Sequence, residues 1–173
     1  MRILLIATNK NHRLMGRMNA EPAPIGLAYI AGYLNPDRHH VKILDLMFSD
    51  DHLSDIEHLV ESFQPNLIGL SLRNLDNVSY MDPQWALPIT KEVIDKLRSI
   101  TNAPVVCGGP GFSTMPEACF DYLDPDMAIA GDGGESFSQM ADAIDTGEDY
   151  LHLPGMMYRS EDGVLTRHGM AYS

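Results

Sequence analysis

Cysteine is scarce in this sequence, with two in 173 residues. Cys107 and Cys119 make no disulfide framework, and the reducing cytosol is the simplest compartment for them. Their spacing gives no C-x-x-C, no zinc ribbon and no cluster-binding C-x-x-x-C-x-x-C. Long apolar runs are absent too: the longest are about five to seven residues, where a bilayer span needs about 20. Met1-Arg2 followed by Ile3 to Ala7 is too short for a signal peptide. Positive charge is in deficit. Twelve Lys+Arg against 24 Asp+Glu leave a net charge of −12, which excludes nucleic acid or an anionic membrane as the main partner. No G-x-G-x-x-G follows the first apolar run, and neither G-x-x-x-x-G-K-S/T nor G-x-S-x-G occurs anywhere. What is present is globular. Hydrophobic residues at 45% and charged residues at 21% exclude disorder and support one domain with its own core.

The chain alternates strand and helix. Ile3 to Ala7, Leu67 to Ser71, Pro104 to Cys107 and Asp126 to Ala130 are short continuous apolar runs, the mark of strands buried on both faces. Val41 to Leu46 is more mixed and reads as a strand nearer an edge. Helical stripes fall at Leu27-Ile30-Ala31-Leu34, Ile56-Leu59-Val60-Phe63, Ile89-Val93-Leu97-Ile100 and Phe137-Met140-Ala141-Ile144. Ser54 with Glu57, and Thr114 with Glu117, read as capping boxes, and Gly147 can end the last helix. Two short runs around Glu161-Asp162-Gly163 read as a C-terminal hairpin. The pattern predicts an α/β fold, a doubly wound five-stranded parallel sheet with helices on both faces and a small C-terminal hairpin.

Ligands of such sheets bind outside the carboxyl ends of the strands. Those ends carry the unusual residues: Asn9 to Arg17, Ser71-Leu72-Arg73-Asn74, Gly108-Gly109-Pro110 and Gly131-Asp132-Gly133-Gly134-Glu135. Glycine lets a flat or bulky ligand touch the backbone, so these loops suggest a broad ligand. They equally suit tight strand-to-helix turns.

The order of these segments resembles a family. Pro22 to Leu34 is similar to the P-P-x-G-L-x-x-I/L-A-x-x-L signature of cobalamin-binding domains that precede radical SAM domains. Val41 to Leu46 resembles its second strand, with Asp45 as the aspartate. Leu67 to Ser71 resembles its third strand, with Asn66 in place of Asp. Val105 to Pro110 resembles V-x-G-G-P-x. Gly131 to Glu135 stands where the family has G-E-G-E-x; Asp132 keeps the acid and Gly134 departs from the second Glu. The resemblance spans about residues 1–159 of the chain and implies a flavodoxin-like, Rossmann-like sheet in the order 2-1-3-4-5. It implies cobalamin held base-off across the strand ends, its nucleotide tail running down beside the sheet. Asn9, His12, Ser71, Leu72, Arg73, Asn74, Gly108, Gly109, Pro110, Gly131, Asp132, Gly133, Gly134 and Glu135 are then the candidate cofactor-binding residues.

His12 is the candidate lower ligand to cobalt. In methionine-synthase-like domains that role falls to the His of D-x-H-x-x-G. Here Lys10 stands where the Asp would be, and Gly16 falls one residue late. The His lacks its orienting acid, so an exposed or loop-anchoring role is favoured over ligation. His39, His40 and His52 read as solvated turn residues, and Asp76 and Asp82 as turn or cap residues. Cys107 reads as a small apolar filler. Met15 and Met18 lie in the first long loop, where soft side chains can cover a corrin face.

The resemblance implies a cofactor module, residues 1–150, followed by residues 151–173 leading toward a radical SAM barrel. That barrel, a domain or a subunit, would carry the S-adenosylmethionine and 4Fe-4S chemistry and meet a small-molecule or peptide substrate. The chain ends where the family's connection to that barrel runs. By itself it is expected to bind and present the cofactor in the cytoplasm without turnover, as a piece of a methyltransferase. The alternative is a flavodoxin-like domain for a flavin, a nucleotide or a protein partner. Thr8 to Asn11 is a poor phosphate loop, and Ser71 stands where a phospho-acceptor Asp would be; both favour cobalamin.

Overall fold

The computed structural model describes residues 1–10, 23–76, 80–81 and 83–170. The apolar run after Arg2 becomes β1 (Arg2–Ala7), and the Leu27 stripe becomes α1 (Ile25–Tyr33). β2 (His40–Asp45) and a 3-10 turn lead into α2 (His52–Phe63). β3 (Leu67–Ser71) precedes α3 (Leu87–Ile100), and β4 (Val105–Gly108) precedes two short helices, α4 (Pro110–Thr114) and α5 (Pro116–Leu123). β5 (Met127–Ile129) runs into α6 (Gly134–Thr146), and β6 (Met156–Arg159) and β7 (Leu165–Arg167) form the hairpin.

The sheet has the order β2-β1-β3-β4-β5-β6-β7. The first five strands are parallel, in the expected order, with β2 at one edge. The sequence reading of a five-stranded sheet falls short by two. The hairpin does not hang free: β6 pairs antiparallel with β5, and β7 with β6.

Alternation along the strands divides the core in two. Leu4, Ile6, Ile68, Leu70, Val105 and Cys107 face one side, under α2, α3 and α5. Ile3, Leu5, Leu67, Val106 and Ile129 face the other, under α1 and α6. Those two helices pack on each other, with Gly134 beneath the Tyr33 ring. A Cβ at Gly134 would lie 2.6 Å from that ring, so glycine lets the helices close.

Two helix starts differ from expectation. Asp51, not Ser54, caps α2; its carboxylate accepts from the Ser54 backbone N–H. The helix begins two residues before the box. The Thr114–Glu117 box does not form either. Thr114 ends α4 and donates to the Pro110 carbonyl, Pro116 opens α5, and Met115 lies between. Gly147 ends α6 in the left-handed region, at φ 77°, as the sequence suggests. No helix among the described residues is long and apolar enough to cross a membrane.

Candidate functional site

A cavity of about 550 Å³ opens at the carboxyl ends of β3, β4 and β5 and runs down the α1/α6 face of the sheet. Its shape follows from the strand pattern. Leu5, Gly69 and Val106 are register partners on adjacent strands and share that face. A side chain on Gly69 would collide with Leu5 and Phe137, at 2.8 and 3.2 Å from its Cβ. With glycine there, both apolar groups close over the strand, and α1 adds Gly26, Leu27, Tyr29 and Ile30.

The rim is built from backbone. Gly109 has φ 99°, and a Cβ there would come 2.8 Å from the Leu72 carbonyl oxygen and 3.0 Å from Ser71 Oγ. Gly131, at φ 101°, turns the chain out of β5. Ser113 ties the two loops together: its Oγ donates to the Gly109 carbonyl at 2.9 Å and accepts from Gly131 N–H at 2.9 Å. Asp132 accepts from Gly134 N–H at 3.2 Å. Behind the rim, buried Thr90 donates to Thr8 Oγ1 at 3.0 Å. Thr8 in turn donates its hydroxyl and its N–H to the Ser71 carbonyl. The ends of β1 and β3 are thereby locked to α3.

Of the sequence candidates, Ser71, Gly108, Gly109, Pro110, Gly131, Asp132 and Gly133 line this cavity. Leu72 is buried on the opposite face, and only its backbone reaches the rim. Arg73 and Asn74 are exposed on the connection beyond it. Gly134 is the helix-packing glycine, and Glu135 is exposed, accepting from Gln139. Asn9 is half-buried just past β1. His12, Met15, Met18 and Asp82 lie outside the described residues. Asp76 bridges to Trp85 in an isolated strand-like pairing. Cys107 turns away into the opposite core, where burial pushes its thiol well above the usual range. It is a filler, as expected.

Two histidines are not solvated as the sequence suggested. His39 is buried and bonds Asp142 at 3.1 Å. His52 accepts from Lys10 Nζ at Nδ1, 3.0 Å, and donates from Nε2 to Glu92 at 3.2 Å. That pairing holds the loop leaving β1 against α2 and α3. Among the described residues no cluster of metal-ligating side chains occurs.

Sequence reasoning missed Gly69, Val106, Phe137 and the inward face of α1 as site residues. A glycine inside an otherwise apolar strand is itself a sign of close approach, and Gly26 to Ile30 fell inside the quoted signature.

The tyrosine pair of α1 flanks the mouth. Tyr29 and Tyr33 hydroxyls lie 3.0 Å apart. The bond to Tyr29 raises the pKa of Tyr33, and the Asp132 and Glu135 carboxylates push the same way.

Residues 13–141 match the B12 binding domain family. The chain is 34% identical over 148 residues to tryptophan 2-C-methyltransferase of Streptomyces laurentii, covering 84% of the chain and 25% of that protein. It is 26% identical to an uncharacterized methyltransferase of Pyrococcus horikoshii, covering 95% of the chain and 34% of that protein. The chain thus spans about a quarter to a third of these relatives. Among solved structures, the radical S-adenosylmethionine methyltransferase TsrM of Kitasatospora setae, with cobalamin and a 4Fe-4S cluster bound, superposes with a TM-score of 0.85 at 31% identity. That match covers 99% of this chain and 29% of TsrM. The cobalamin-dependent radical enzyme OxsB, at 15% identity, shares the fold, with a TM-score of 0.74 over 99% of this chain and 22% of its own. With the matched residues spanning most of the sequence, the chain belongs to the B12 binding domain family.

Proposed function

We propose that this chain binds cobalamin base-off at the carboxyl ends of β1, β3, β4 and β5 and presents it to a radical SAM domain for methyl transfer. The observation that carries the reading is the glycine-floored cavity itself. Its volume falls within the roughly 300–1,000 Å³ of small-molecule sites. It joins a broad backbone rim at Gly108, Gly109 and Gly131 to a narrow apolar slot between sheet and helices. A large corrin suits the rim, and a nucleotide tail suits the slot, which keeps the tail's base away from the metal. Bound there, cobalamin supplies methyl-transfer chemistry at its cobalt.

The chain's own residues bind, orient and exclude water. The Gly109 and Gly131 loops, braced by Ser113, offer backbone amides at close range. Ser71 offers a hydroxyl, and Asp132 suits ribose hydroxyls or corrin amides better than phosphate. Asn9, Arg73 and Asn74 stand in the connections around the rim, where they can meet corrin side chains or the following domain. His12 lacks an orienting acid in the sequence, so cobalt in this reading needs no ligand from it.

Presentation to a second domain is supported by exposed apolar side chains in the connections leaving β2, β3 and β4. Phe48, Met81, Trp85 and Met115 are each more than half exposed. In this reading residues 1–150 form the cofactor module and 151–173 lead toward the barrel. That barrel would hold S-adenosylmethionine and the 4Fe-4S cluster and meet the substrate, with catalysis residing in the whole enzyme in the cytoplasm.

The test is a UV–visible titration of the chain with hydroxocobalamin, followed by desalting. A retained spectrum of the base-off type is expected, unchanged in His12→Ala. Well-folded protein that emerges free of corrinoid would overturn the reading and favour a flavin or nucleotide.

A further inference from the structure

Polar side chains gather at the mouth of the cavity, and most are already engaged. Ser113 bridges Gly109 and Gly131, and Thr114 donates to the Pro110 carbonyl. Asp132 holds the first turn of α6. Ser71 Oγ makes no hydrogen bond to a described residue and stands beside Gly109.

Two residues farther down the strands, about 7 Å at the usual rise, the wall changes character. It consists of Leu5, Gly69 and Val106 from the sheet, closed by Ile30 and Phe137 from the helices. None has a polar side-chain atom. The backbone there is not available either, because β3 is hydrogen-bonded to β1 on one side and β4 on the other. The deep slot therefore offers neither donor nor acceptor among the described residues.

We infer that this slot sorts cobamides by their lower base, accepting a benzimidazole and rejecting a purine, with Gly69, Val106 and Phe137 setting the selection. The inference rests on the cobalamin reading above. A base-off benzimidazole leaves one ring nitrogen wanting a partner, and one donor at the mouth, Ser71, is enough for it. An adenine carries further ring nitrogens and an exocyclic amine. Buried in this slot they would lose water and gain nothing, the situation in which a site discriminates most strongly.

The test compares three corrinoids on the same chain by equilibrium dialysis: cobalamin, the adeninyl cobamide, and cobinamide, which has no nucleotide tail. Cobalamin is expected to bind about ten- to a hundredfold more tightly than the adeninyl cobamide, which should fall close to cobinamide. Equal affinity of cobalamin and the adeninyl cobamide would overturn the inference. Cobinamide binding as tightly as cobalamin would overturn it too, while leaving corrinoid binding intact. If none of the three binds, the cobalamin reading falls and the inference with it. Two variants locate the effect. Val106→Thr keeps nearly the same volume but adds a hydroxyl to the wall, and should narrow the ratio. Gly69→Ala drives a methyl against Leu5 and Phe137. It should weaken cobalamin and leave cobinamide unchanged.

Discussion

Gly109 shows how one missing methyl shapes the rim. Its left-handed φ and its 2.8 Å clearance to the Leu72 carbonyl mean that any side chain is both strained and obstructed. Gly109→Ala is expected to lose about 1–3 kcal/mol of stability, read as a lower urea midpoint, together with retention of corrinoid. Cys107 illustrates the opposite case. Both cysteines are buried, and burial raises both thiols. Neither should react with a thiol reagent in native protein, and both should react in guanidinium. Rapid native modification of Cys107 would mean that it faces the cavity after all. The rim glycines were legible because they follow apolar strands in loops otherwise rich in small polar residues. Gly69 was less so, since in an apolar strand its neighbours, not its own identity, determine what it makes room for.

Helices and strands were legible where periodicity decides them. Four parallel strands of the interior read directly from their unbroken apolar runs, and the mixed run of β2 marked it as an edge. The helix starts were harder. Ser54-x-x-Glu57 satisfies the capping-box pattern, but Asp51 three residues earlier offers a carboxylate, and the helix starts there. Asp51→Ala should cost about 1 kcal/mol in urea unfolding, and Ser54→Ala distinctly less. The reverse order would return the cap to Ser54. The hairpin was read as a turn between two short runs, and correctly so. Its docking onto β5 was not readable, because the partner of an antiparallel edge strand is a long-range choice that local pattern does not carry.

Across the molecule, charge and the single tryptophan give two global readouts. The net charge of −12 is partly organised into ion pairs at the sheet's far end and on the hairpin. Hydrogen bonding to Arg38 holds the Asp145 carboxyl below its usual value, with the amino terminus and His39 adding to it. Arg167 does the same for Glu117. A depressed folded pKa stabilises above the ordinary carboxylate value, near 4, and that stabilisation is lost as pH falls through the lower folded value. Both groups are exposed, so the effect is small. Asp145→Asn should flatten the decline of the urea midpoint between about pH 4 and pH 2; an unaltered slope would remove Asp145 from that account. Trp85, half exposed in the connection between β3 and α3, stands at the end of the molecule where the corrin is proposed to lie. Its fluorescence should quench as cobalamin is added and stay constant with a corrinoid-free buffer control. The most direct measurement is a crystal structure of the chain with cobalamin, recorded at the cobalt absorption edge. The cobalt peak should lie over the carboxyl ends of β3 and β4, beside Ser71 and Gly108, with the base in the slot walled by Val106, Ile30 and Phe137. A peak elsewhere on the surface, or a base stacked against its own cobalt, would contradict the proposed mode of binding.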